Sequence, residues 1–118
     1  MGYMRHHAII ITSWDKESIT AAHQKAHELF GATNFLGRIA EITDITPEAT
    51  NGYRSFLISP DGSKEGWETS DRGDHIRAKF IQWLASQKDK WCEYAEVQFG
   101  DEEGDDRLLR SRNFREEE

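Results

Sequence analysis

The chain has 118 residues, of which 36 % are hydrophobic and 31 % charged, and its formal net charge is −7. That length suits one domain whose core needs no disulfide or structural metal, and four Trp, three Tyr and six Phe exclude intrinsic disorder. The acidic balance argues against non-specific nucleic-acid binding, which relies on Lys and Arg displacing phosphate counterions; no apolar run reaches the ~18 residues of a membrane span.

The N-terminal MGYMRHHAIIIT is too short and polar for a signal peptide. Its His6 stands where myristoylation needs Ser or Thr. Cys92 is alone, so no intramolecular disulfide forms. The expected location is the cytosol. Residues 7–12, HAIIIT, are β-branched and apolar and predict a buried central strand. At Ser13-Trp14-Asp15 the period changes. Ser13 or Asp15 can cap a helix over about 15–30, with Ile19, Ala22, Ala26, Leu29 and Phe30 as its apolar stripe and Gly31 as its stop.

RIAEIT (38–43) reads as a second strand, followed by a turn-rich connection in which Pro47 suits the start of a short helical turn after Thr46. YRSFLIS (53–59) is the third strand, and Ser59-Pro60-Asp61-Gly62 has type I turn chemistry. A second helix begins near Ser70 or Asp71, with Ile76, Phe80, Trp83, Leu84 and Gln87 on one face and Ile81 off it. WCEYAEVQF (91–99) gives the fourth strand. Residues 1–100 are thus read as a single α+β domain. Residues 101–118, with eight acids and four arginines, are read as an acidic C-terminal tail.

The order β-α-β-β-α-β predicts a ferredoxin-like fold, a four-stranded antiparallel sheet with both helices on one face. Such a fold leaves one sheet face bare, and a half-exposed strand should alternate apolar with polar residues. These strands do not. Ile9 and Ile11 oppose Ala8 and Ile10; Phe56 and Ile58 oppose Tyr53 and Leu57; Trp91, Ala95, Val97 and Phe99 oppose Tyr94. Apolar groups on both faces predict that something covers the second one. A homodimer through the sheets is the simplest cover, and LLRSRNF (108–114) folding back is the plainer one.

Candidate chemistry is sparse. NGYRSFLI (51–58) partly resembles the aromatic strand of RNA-recognition motifs, but Asn51 replaces a basic residue and HAIIIT offers no aromatic partner. The loop GSKEGWETSDRGD (62–74) has Ser63, Lys64, Arg72 and a helix start, the ingredients of an anion site, without phosphate-loop spacing. Its glycines serve equally as turn and cap residues. Trp67 stands out as an aromatic in a polar loop that either folds onto the core or serves as a contact anchor. His23 and His27 have the i, i+4 spacing of two metal ligands on one helix, and His6, His7 and His75 are conceivable thirds, yet no HExxH or Cys pair accompanies them. Cys92 lacks a neighbouring base, and DEEGDD (101–106) lacks the order of a calcium loop. No cofactor is implied.

NGYRSFLISPDGSKEGWETSDRGD, then IRAKFIQWL, then EVQFGDEEGDDR resembles small uncharacterised proteins of tailed bacteriophages and prophages, from His7 to about Arg107. The resemblance implies an accessory protein in the cytoplasm of a bacterial host and transfers no catalytic residue. The expectation is a non-enzymatic, homodimeric regulator or inhibitor that binds a host or phage protein, with no direct nucleic-acid or membrane contact. Its expected binding residues are Lys64, Trp67 and Arg72 in the loop with Tyr53, Leu57, Val97 and Phe99 on a sheet face. The alternative is a small-ligand or nucleotide binder using the 62–74 loop. A third reading is a metal-dependent enzyme through His23 and His27.

Overall fold

The computed structural model describes residues 6–31, 40–60, 68–87, 92–100 and 106–112. The HAIIIT strand is β1 (His6–Ser13), and α1 (Lys16–Phe30) follows it at once. Asp15 is the cap. Its carboxylate accepts from the Ser18 backbone N–H at 3.2 Å and from the Ser18 hydroxyl at 2.6 Å, satisfying donors that the first helical turn leaves open. Ser13 instead accepts from the Asp15 N–H at 3.1 Å. Ile19, Ala22, Ala26 and Phe30 are buried along one face as the stripe predicts, with Leu29 at its margin. Gly31 donates to the His27 carbonyl, and a Cβ there would lie 2.7 Å from that oxygen, so the helix end has room only for glycine.

The expected strand at 38–43 is reduced in its described part to one isolated bridge between Ile42 and Ile58. The chain there lies along β2 (Arg54–Ile58) and is stitched to it by threonines. Thr43 donates its N–H to the Leu57 carbonyl while its hydroxyl accepts from the Leu57 N–H. Thr46 repeats the pattern with Ser55. These bonds hold the segment extended past Pro47, which explains why the helical turn expected after Thr46 is absent. The reversal comes later, in a 3₁₀ turn at Thr50–Gly52. There Asn51 (φ 61°) and Gly52 (φ 79°) take left-handed backbone that these two residue types tolerate best.

Helix α2 (Glu68–Ser86) starts slightly ahead of the expected cap. Ile81 belongs to the core with Phe80 and Leu84, contrary to its expected place off the stripe, and Ile76 and Trp83 pack at the margin. β3 (Glu93–Phe99) matches the expected strand, apart from Trp91, which is outside the described residues, and Cys92. Beyond it, β4 (Arg107–Arg112) lies in the segment read as tail. Its three arginines disguise it as a solvated run.

The sheet order is β2-β1-β3-β4, every pairing antiparallel. With Glu41–Thr43 along the outer side of β2, the order from β1 to β3 is the ferredoxin-like one, and β4 is an added edge. Register pairs Ile9 with Ile58 and Ile11 with Phe56 across β1 and β2, and Ile11 with Tyr94 across β1 and β3. These side chains share one face and form the core with α1 and α2. No described helix is long and apolar enough to cross a membrane.

Candidate functional site

Side chains alternate across a strand, so the residues between the core positions project from the other face, where no described helix packs. Register arranges them in rows. His6 pairs with Phe99; Ala8 with Val97, which pairs with Leu108; Leu57 with Ile10, Ala95 and Ser111; Ser55 with Thr12 and Glu93. The two middle rows are apolar except for Ser111. Ile10 is 45 % exposed, Phe99 40 % and Leu108 58 %, while Leu57, Ala95 and Val97 are half-buried. A shallow hollow over Ala95 is walled by Ile10 and Leu108 and edged by Thr12, Glu93 and Ser111. In the last row, Thr12 and Ser55 hydroxyls share a hydrogen bond of 2.9 Å. Among the described strand residues of this face, Glu93 is the one carboxylate.

Three of the expected binding residues, Leu57, Val97 and Phe99, therefore meet on this face. Tyr53 does not join the ladder; it follows the 3₁₀ turn, half-buried, and its carbonyl accepts from Ala49. Arg72 is half-buried on α2, the helix that packs on the opposite face. Lys64 and Trp67 lie outside the described residues, as does Ser63. Ile10 and Leu108 were missing from the expected set. Ile10 was legible from strand parity, whereas Leu108 needed the pairing of β4, with its bulge at Glu96/Val97, to be assigned.

On the core face the polar groups are internally engaged. Glu96 is 1 % exposed and lies between Arg110, 2.5 Å away, and Arg77, 3.9 Å away and itself 2 % exposed. Arg77 also pairs with Asp74. The hydrogen bond to Glu96 raises the Arg110 pKa above its ordinary value, against the opposing effect of burial. A carboxylate buried this deeply needs such partners, because removing one would leave an uncompensated charge at a cost of several kcal/mol. Arg112 donates twice to the Cys92 carbonyl, at 3.1 and 2.9 Å, and lies over the Tyr94 ring. The arginines of β4 thus tie an added strand to the sheet.

His23, His27 and Cys92 have structural partners. His23 Nε2 is 2.9 Å from the Thr43 carbonyl, and its ring contacts both His27 and Phe56 edge-on. That ring anchors the Thr43 segment to α1. Among the described residues no group of three His, Cys, Asp or Glu is disposed to hold a metal ion. Burial pushes the Cys92 thiol up to about 11, against smaller opposing effects of the Ser13 hydrogen bond and Arg112. A thiol so protonated is a weak nucleophile at neutral pH.

Comparisons with protein-family models, curated proteins and solved structures return no match, so the functional reading stands on the geometry of the open face.

Proposed function

We propose that this chain is a non-enzymatic binding module that engages protein partners through the open face of its sheet, serving as a regulator or inhibitor of a host or phage factor. One observation carries the reading. Ile10, Phe99 and Leu108 stand at 45 %, 40 % and 58 % exposure beside Leu57 and Val97 on a face with almost no charge. A contiguous apolar patch rimmed by polar groups is the usual mark of an interaction surface, and the hydroxyls of Thr12, Ser55 and Ser111 supply such a rim.

The test is capture from bacterial lysate on immobilised protein, with wild type beside Leu108→Glu. Leu108 is the most exposed large apolar residue of the described set, so a carboxylate there wets the patch without opening the core. Wild type should retain protein partners, and the variant, equally folded by circular dichroism, should lose them at least tenfold. Equal recovery on both columns would remove the face from the reading.

A further inference from the structure

We infer that the occupant of the open face is a second copy of this chain, related by a two-fold axis that runs along the strands between β1 and β3. The inference rests on the binding role proposed for that face and names its occupant in the isolated protein, a weakly held copy that a host or phage protein binding there would displace. Three features point to a copy.

The first is relief. An axis between β1 and β3 passes through the middle of the order β2-β1-β3-β4, and it lays β1 over the partner's β3 and β2 over the partner's β4. The rows across that axis alternate large with small: Ile10 beside Ala95, and Ala8 beside Val97. Rotation therefore sets Ile10 over the partner's Ala95 and Val97 over the partner's Ala8. The hollow over Ala95 is where Ile10 would seat. Leu57 falls against the partner's Leu108 and Ser111. A self-complementary patch is what an isologous interface requires, and two sheets packed face to face interdigitate in this way.

The second is charge. The chain carries −7 overall, yet the described strand residues of this face include one carboxylate, Glu93, in the end row. The rotation sets Glu93 over the partner's Thr12 hydroxyl, which can donate to it. Two acidic molecules can thus meet on a nearly neutral surface, whereas a basic partner would find little there to pair with.

The third is size. Four strands at ~4.8 Å spacing and seven residues at ~3.3 Å give a flat projection of roughly 400 Å² per copy. Side-chain relief raises the accessible area, so the pair reaches roughly 1,000 Å² in total, the low end for specific association. The dimer should be reversible, with Kd on the order of 1–100 µM.

The experiment uses the full chain in sedimentation equilibrium and in oxidative cross-linking. Self-association should be seen at micromolar concentrations and tighten as salt is raised, because screening relieves the repulsion between acidic copies. Ile10→Cys mixed with Ala95→Cys should cross-link at least fivefold faster than either variant alone, since the axis pairs those two positions across copies. Circular dichroism confirms that both variants are folded, and Leu108→Glu should abolish both signals. A monomer at all concentrations overturns the inference, as does association weakened by salt. Ile10→Cys cross-linking to itself as fast as in the mixture overturns it too. A monomer that still captures lysate protein through Leu108 leaves the broader reading standing. A monomer whose capture is indifferent to Leu108→Glu removes both. If deleting residues 113–118 from a monomer sharply raises the labelling rate of Ile10→Cys, the chain's own end is the occupant and the copy is excluded.

Discussion

Cys92 is the residue whose environment makes the sharpest claim about pH. Its side chain is almost wholly buried, and its pKa is pushed from an ordinary 9.0 to about 11. In the unfolded chain the thiol ionises near the ordinary value, while in the folded chain it stays protonated. The contribution to stability is therefore fully present below pH 9.0 and is lost as pH rises through about 11. Across that window the wild type should lose up to about 2–3 kcal/mol of unfolding free energy, and Cys92→Ala should lack this part of the decline in urea titrations. At pH 8 the native thiol should resist a disulfide reagent and react once the chain is unfolded. His23 teaches a different lesson about reading residues. Its i, i+4 spacing with His27 suggested ligands, but the Thr43 carbonyl that engages it is distant in sequence, and no local pattern could announce that bond.

At the scale of elements, β2 is held on its outer side by hydroxyls in place of a regular ladder. Thr43 and Thr46 each donate one backbone N–H and accept one with Oγ1. Replacing both with Val keeps the shape and removes the acceptors. Each loss should cost about 1 kcal/mol, since water reaches the freed amides. Thermal unfolding of Thr43→Val plus Thr46→Val should report about 2 kcal/mol, with faster hydrogen exchange at Ser55 and Leu57. The two helices and the strands β1, β2 and β3 were legible because their apolar spacing is set by burial on one face. β4 was not, because Arg110 and Arg112 are satisfied by Glu96 and the Cys92 carbonyl, partners that composition cannot reveal. Ile81 was misjudged because α2 packs against α1 as well as reaching β3 through Arg77 and Glu96, which widens its buried face beyond a single stripe.

Over the whole molecule, the sheet separates two kinds of apolar residue that look identical in sequence. Ile11 is fully buried under the helices, while Ile10, its neighbour, faces outward at 45 % exposure. Ile11→Ala should lower stability by about 2–5 kcal/mol through lost burial and a residual cavity. Ile10→Ala should change the stability of the monomer by less than about 0.5 kcal/mol, as chemical denaturation at low protein concentration would register. Apolar content on both faces was visible from alternation alone. How the patch is contoured was not, because the pairing of large with small side chains depends on strand order and register.

The flanks of the sheet differ in a way that bears on growth. One border is laced shut by the threonine segment beside β2, and the other, β4, is a strand of six residues that opens on exposed Arg107. Short edge strands that carry charge discourage lateral annealing. Neither side invites edge-to-edge propagation into ribbons, so if copies stack through the broad surface as proposed, growth should stop at a closed pair, and crowding should yield finite particles instead of fibres.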